Sequence, residues 1–459
     1  MNNQFIFKLD NKLESDELSI LEKEDNNNLL MSSTINLPLI SLGFHSFIHR
    51  TKSALTLTDK LQTKNKFYMI VNPYEIEIQN HEDSLHKLIK EYFGSKEDKE
   101  ELNTPEFYEL WEILFLFGLG EKKELVSGIF SNKYDTYTSS LEYFRDKFVT
   151  GHKTKNYNFS SKDYNFDIDK NYKNTANVVD KNTATVVDKN TSNVVAEDST
   201  IMEGGAPKKY KYKKDVEKQT KKLKTEDLDK IKDKLDLIIA TTFQSSETGF
   251  LYTEQENYKY ILSMLINALQ SQENKGSMIL RIDETFTTPS VKLLYIINHF
   301  YESVHIYKPS YSKYTNANKY LVCNGFRNNN KKILKSLENV LSNINKYSNK
   351  FVYDIYPDLT DKMPQDYVNK IKFINIKLTN REQIMINDII VYIKNNNYFG
   401  DDYHKYRNNQ IQSTKWWITN YLPPSKNLYE ESKKELAKSI VQNTEMYLME
   451  YSKLSLTLV

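Results

Sequence analysis

The run from Asp236 to Phe326 leaves this chain little choice of architecture. DLIIATTF (236–243) is a short apolar block of buried-strand type. It is followed by a helix over Thr253–Gln270 whose Tyr258, Ile261, Leu262, Leu265, Ile266 and Leu269 form one continuous apolar stripe. A second apolar block, Met278–Ile282, then reads as another strand. Strand, long helix, strand is a βαβ unit, and its crossover makes the two strands parallel. Beyond it, Pro289 sits where a helix can begin, and Val291, Leu294 and Tyr295 carry a helical period down to Phe300. Val304 and Ile306 alternate as a strand, Lys308-Pro309 breaks it, and Lys319–Cys323 forms another. The expected fold is α/β: a mostly parallel, twisted sheet with helices on both faces.

Length and composition bound what surrounds this unit. At 459 residues the chain has room for two or three domains or one decorated domain. Charge is balanced, with 63 basic against 61 acidic residues, so any basic footprint for a polyanion must be local. The single Cys323 rules out an internal disulfide or a Cys-based zinc site and points to a reducing compartment. No apolar run approaches ~20 residues, so no membrane span is expected. The N-terminus has neither the basic start nor the apolar core of a signal peptide, and secretion is not expected.

Residues 1–33 read as a loose polar arm. Ile35–His49 and Lys66–Ile78 are expected as strands, and His81–Phe93 as an amphipathic helix. His45, His49, His81 and His86 have no spacing that indicates a metal site, and none is expected. Thr104-Pro105 opens a helix, FYELWEILFLFG, and Leu125–Phe148 begins as a strand and ends as a helix. From about 153 to 200 the composition collapses into Asn, Lys, Asp, Thr and Tyr, and inside it an eight-residue unit recurs as NTANVVDK from Asn174, NTATVVDK from Asn182 and NTSNVVAE from Asn190. That period is too short for a solenoid and suggests a low-complexity insert. KKYKYKKDVEKQTKKLK (208–224) follows. It reads as a solvated flexible segment, with a grip on RNA phosphates as the functional alternative. Past Arg327 the spacing is helical, over Ile333–Ile344, Arg381–Lys394, His404–Leu422 and Leu428–Leu454, and Trp416-Trp417 reads as a packing anchor. The expected organisation is an N-terminal arm and extension (1–100), a core domain (101–150 and 225–327), an insert (151–224) and a C-terminal helical region (328–459).

Several segments, in order, resemble the FtsJ-like ribose 2′-O-methyltransferase domain in the form encoded by large DNA viruses. FYELWEIL (107–114) is similar to the family's F-x-K-L-x-E-I helix, and DLIIATTF to its D-L-x-x-x-D-G-G strand. GSMILRIDETFT (276–287) resembles G-G-x-x-x-L-K-x-F-D-T-F-T. YKPSYSKYTNANKYLVCNGF (307–326) resembles K-P-x-x-S-R-x-x-N-S-E-x-Y-x-V-C-x-G-F. The resemblance implies a Rossmann-like methyltransferase sheet with an N-terminal extension and a C-terminal helical region. It also implies S-adenosylmethionine as methyl donor and RNA as substrate.

It further implies a Lys-Asp-Lys-Glu tetrad in which one lysine eases deprotonation of the ribose 2′-hydroxyl. Position by position, these four fall on Glu109, Thr241, Arg281 and Asn318, and all are substituted. Guanidinium keeps its proton, so Arg281 cannot act as the base. Glu109 reverses the charge beside a nascent alkoxide. Loss of a general base alone costs about 10²–10⁴-fold. The cofactor turn, P-G-G-F in the family, is matched by Ser127, Gly128 and Ile129, with a single glycine. What persists is the segment expected to face RNA: Lys308, Ser312, Lys313, Asn316 and Lys319, with Tyr307, Tyr311, Tyr314 and Tyr320 available to stack or pack.

Three functional readings follow. The first is a catalytically inactive homologue kept as a binding or assembly module of a large DNA virus, with no cofactor. The second is an active S-adenosylmethionine-dependent RNA 2′-O-methyltransferase with a site rebuilt on Lys308, Lys313 or Lys319. The third is an RNA-binding accessory subunit of viral mRNA processing. All three expect RNA or other viral proteins as partners, and the host cytoplasm or virion as location.

Overall fold

The computed structural model describes residues 4–9, 13–34, 38–39, 42–55, 84–94, 102, 104–159, 234–241, 253–315, 317–327, 330–347, 350–395 and 400–457. Met1–Tyr164 and Lys222–Val459 make one compact unit, and the remaining unit, Asn165–Lys221, lies outside the described residues. The expected strand over 66–78, the repeats and the basic run 208–224 also lie outside them.

The centre is a seven-stranded sheet built from β1 (Phe5–Leu9), β3 (Glu124–Phe130), β4 (Lys153–Phe159), β5 (Leu235–Ala240), β6 (Gln272–Ile282), β7 (Tyr301–Lys308) and β8 (Lys319–Phe326). Its order is β4-β3-β5-β6-β8-β7-β1. The pairs β3–β4, β3–β5 and β5–β6 are parallel, whereas β8 runs antiparallel to both β6 and β7, and β1 antiparallel to β7. Five of the seven strands therefore point the same way, as the βαβ pattern requires. Helix α6 (Thr253–Ser271) is the crossover between β5 and β6.

Side-chain alternation along the strands feeds two helical layers. Ile129, Leu237, Ile239, Ile279 and Val322 join the core formed with α4 (Pro105–Phe117) and α5 (Tyr134–Phe148). The opposite face meets α6 and α7 (Thr288–Phe300). Pro105 and Pro289 occupy the first turns of α4 and α7, where a missing N–H costs nothing. Gly118 closes α4 at φ 67, which a side chain would strain.

Three expectations are corrected. The loose arm is ordered: it supplies β1 at the sheet edge, α1 (Ser15–Leu21) and β2 (Leu29–Ser32). The strand expected over Ile35–His49 is helical from Leu42 in α2 (Leu42–Ser53). Its inward face is His45, Ile48, His49 and Lys52, a helical period disguised by polar residue types. The helical region after Arg327 contains a strand, β9 (Phe351–Ile355), which pairs antiparallel with β2. Around it lie α8 (Lys331–Lys346), α9 (Gln365–Asn395), α10 (Asp401–Tyr421) and α11 (Lys426–Thr457), and α11 packs on β1 and α4. A further helix, α3 (Ser84–Tyr92), matches the amphipathic segment before α4. No described helix is long and apolar enough to cross a membrane.

Candidate functional site

Helix α4 places two carboxylates one turn apart at the end of the sheet, and the site is built on them. Glu109 is 3% exposed. It accepts hydrogen bonds from the Tyr320 hydroxyl and from Asn318 Nδ2, the latter at 3.2 Å. Arg281 lies on β6, opposite Tyr320 of β8. Its Nε is 3.6 Å from Asp283 Oδ1. Burial pulls the guanidinium's pKa down, but Asp283, then Tyr320, Tyr137 and Glu109, outweigh it and push it up. Thr241 follows β5, and its N–H donates to the Phe130 carbonyl at 3.0 Å. Tyr137 of α5, pushed upward in pKa by burial, faces Glu106, Arg281, Thr241 and Glu109. The four positions matched to the tetrad thus converge in space, and the charges left among them are one carboxylate and one guanidinium.

The segment expected to face RNA is placed differently. Lys308, Ser312 and Lys319 are 7%, 0% and 3% exposed, so none of them presents a surface for phosphate. Lys308 Nζ donates to Ser312 Oγ at 3.0 Å, the Asn318 carbonyl at 2.7 Å and Asn318 Oδ1 at 3.0 Å. Burial lowers its pKa to about 7, with Glu109 opposing the shift. Lys319 donates to the Asp283 carbonyl and is likewise lowered by burial. Tyr307, Tyr311 and Tyr320 are buried and pack rather than stack bases, while Lys313 and Tyr314 are half-buried. Asn316 lies outside the described residues. Flanking backbone carbonyls and hydroxyls, invisible in a linear motif, draw these lysines inward.

Glu112, the second carboxylate, was not singled out by sequence. It is fully buried and accepts from six donors. Tyr307 OH (2.6 Å), Ser310 N (2.8 Å) and Gln4 Nε2 (3.3 Å) reach Oε2. Ser310 Oγ (2.7 Å), Tyr311 N (2.8 Å) and Trp417 Nε1 (2.8 Å) reach Oε1. Burial raises its pKa and these donors oppose the rise. The Glu-x-x-Glu spacing on an otherwise apolar helix was the available signal.

Beside the converged positions is a cavity of about 30 Å³, lined by Glu284, Phe286, Lys308, Tyr314, Lys319 and Glu382 among others. Room of that size suits one or two waters. Below it Lys52 bridges Glu284 (2.5 Å) and Glu382 (3.1 Å). His45 and His49 face each other at 3.1 Å, and burial pulls His49 down to about 4, so both are neutral near pH 7. Among the described residues no group of three or more His, Cys, Asp or Glu is arranged to hold a metal.

Ser127, Gly128 and Ile129 lie inside β3, paired with β4 and β5, not in a turn. A Cβ on Gly128 would meet Leu235 Cδ1 at 2.5 Å, so this glycine serves strand packing. The chain leaves β3 through Ser131, Asn132 and Lys133. Ser131 N donates to the Phe159 carbonyl and Ser131 Oγ accepts from Lys133 N, each at 3.0 Å. Lys133 has φ −109. This turn has no glycine and its hydrogen bonds are spent internally, so it does not fit a cofactor that must approach bare backbone.

Residues 176–326 match the family FtsJ-like methyltransferase. The cap-specific mRNA (nucleoside-2′-O-)-methyltransferase 1 of Caenorhabditis elegans is 28% identical over 186 residues, covering 38% of this chain and 20% of that protein. The inactive cap-specific mRNA (nucleoside-2′-O-)-methyltransferase 1B of Caenorhabditis briggsae is 26% identical over 183 residues, covering 38% and 21%. An uncharacterized protein of Acanthamoeba polyphaga mimivirus is 25% identical over 166 residues, covering 36% and 44%. The match therefore spans about a fifth of the length of these curated methyltransferases.

Proposed function

We propose, from the premise that the chain carries an FtsJ-like methyltransferase domain, that it is a non-catalytic homologue of RNA cap 2′-O-methyltransferases, kept as a binding and assembly module. The observation that carries this reading is the state of Glu109. A carboxylate occupies the position of a catalytic lysine and is held there by Tyr320 and Asn318. An anion beside the hydroxyl to be activated raises that hydroxyl's pKa, the reverse of what the reaction needs. The glycine-free turn after β3 adds to the case, and no step is routed through S-adenosylmethionine.

Lys308 does not restore a base. Its lowered pKa is suited to one, but its ammonium is already donating to three oxygens of Ser312 and Asn318. It acts as a bracket that closes the loop between β7 and β8. The similarity to a relative named as inactive supports this reading. The similarity to a mimivirus protein is in keeping with a role in a large DNA virus, inside the infected cell or in the virion.

The test is methyl transfer from tritiated S-adenosylmethionine to capped RNA, with calorimetric titration of the cofactor. Neither transfer nor cofactor binding is expected. Transfer to a ribose 2′-hydroxyl that disappears in Arg281→Ala or Lys308→Met overturns the reading.

A further inference from the structure

With Lys308 and Lys319 buried, the cations at the mouth of the cavity come from elsewhere. Arg381 of α9 lines it together with Tyr314 and Leu378. Helix α9 is basic over its first half: between Gln365 and Arg381 it carries Lys370, Lys372, Lys377 and Arg381 against Asp366 alone. At about 100° per residue, Lys370, Lys377 and Arg381 fall within ~40° of one another around the helix, a stripe about 16 Å long. Each is half-buried. Lys377 lies 5.4 Å from the centroid of the Phe373 ring. Lys370 pairs with Asp366 at 2.5 Å, and Asp388 ends the stripe beyond Arg381.

Asn375, on the inward side of the same helix, fixes this stripe to the core. Its Oδ1 accepts from Thr285 Oγ1 at 2.9 Å, and its Nδ2 donates to the Thr285 carbonyl at 2.7 Å. The loop so held, Asp283–Thr287, also binds Glu254 through Phe286 N (3.0 Å) and Thr287 N (2.9 Å). The basic row is therefore tied to the core through Asn375 and ends at the cavity, which Arg381 lines.

We propose that Lys370, Lys377 and Arg381 of α9 form a track for the phosphate backbone of single-stranded RNA leading to the cavity beside Glu109. The charge complementarity of a cationic row to evenly spaced phosphates selects this occupant. The track rests on the reading of the domain as an RNA methyltransferase homologue, and it assigns the contact to a helix outside the segment matched to that family.

The experiment measures binding of a short fluorescein-labelled single-stranded RNA by anisotropy across a salt series. Wild-type protein is compared with Lys377→Ala/Arg381→Ala. As a control of equal charge change, Lys332→Ala/Lys335→Ala on α8 removes two exposed lysines paired with Glu22 and Glu24. The track variant is expected to bind roughly tenfold more weakly, with a log K against log salt slope shallower by about 1.4, at ~0.7 per cation for a single strand. The control pair keeps wild-type affinity, and the charge-preserving Lys377→Arg/Arg381→Lys restores both affinity and slope. Equal losses in track and control variants overturn the proposal, as does a wild type that binds no RNA. Either result leaves the non-catalytic reading intact, which stands or falls on methyl transfer.

Discussion

Trp417 donates its indole N–H to Glu112 at 2.8 Å across 305 residues of chain, joining a C-terminal helix to the helix that carries Glu109. Both side chains are fully buried. The same carboxylate takes the backbone N–H groups of Ser310 and Tyr311, so it also fixes the loop after Lys308. One buried acceptor thus holds α4, the loop between β7 and β8, and α10 together.

Glu112→Ala leaves several buried donors without a partner and is expected to destabilise the fold by at least about 3 kcal/mol. Trp417→Phe removes one donor and keeps most of the packing, costing about 1–2 kcal/mol. Urea unfolding of both variants checks the ranking. Equal midpoints for Glu112→Ala and wild type would rule the hub out.

Lys308 sets a pH dependence with a definite sign. In the unfolded chain its proton is held up to 10.5, and in the fold only to about 7. Between those values the unfolded state binds more protons, so this residue's contribution to stability rises with pH. The burial penalty is felt in full below about 7. Unfolding free energies of wild type minus Lys308→Met, measured from pH 6 to pH 9.5, should therefore climb with pH. A flat difference shows that Lys308 is not depressed.

Lys292 is another buried ammonium, with a structural task. It donates to both oxygens of Asp354 at 2.8 Å, to the carbonyls of Ile355 and Tyr356 at 3.0 Å, and to Thr360 Oγ1 at 2.7 Å. Tyr356 sits in the left-handed region at φ 43, a conformation these bonds help to hold. Lys292→Met should cost about 3–5 kcal/mol, because a carboxylate stays buried without its cation. Adding Asp354→Leu should return part of it. Hydrogen exchange in β9 should rise in the single variant and fall back in the double.

Gly128→Ala separates packing from ligand binding. The new methyl would crowd the Leu235 side chain and cost about 1–3 kcal/mol. Calorimetry with S-adenosylmethionine should be silent for wild type and variant alike. A wild-type isotherm that vanishes in Gly128→Ala would restore this glycine to a cofactor role.

The central unit was legible because its periodicities are apolar and local. The strand–helix–strand from Leu235 to Ile282, and the proline starts of α4 and α7, follow from residue types within a few positions of one another. The convergence of Glu109, Thr241, Arg281 and Asn318 was also readable, through the resemblance that aligned them. Strand β1 was missed because the arm around it is polar, although four of its five residues are buried against the sheet and α11. Helix α2 was misread because its inward face is His45, His49 and Lys52, whose partners Glu284 and Glu382 are hundreds of positions away. Lys308 and Lys319 looked like surface cations for a different reason: the oxygens that draw them inward, on Ser312 and Asn318 for one and the Asp283 carbonyl for the other, are near in sequence but are brought onto the lysines only by the turn of the chain in space.

The bond between Glu112 and Trp417 also orders events in time. As the chain leaves a ribosome, the helix with Glu112 emerges about three hundred residues before the indole that completes its shell. Gln4, another of its donors, is made 108 residues before the carboxylate it reaches. The domain cannot finish closing on its first half until α10 has emerged. Its final consolidation waits for that helix, and a ribosome stalled before Trp417 holds a chain whose central carboxylate is still short of a partner.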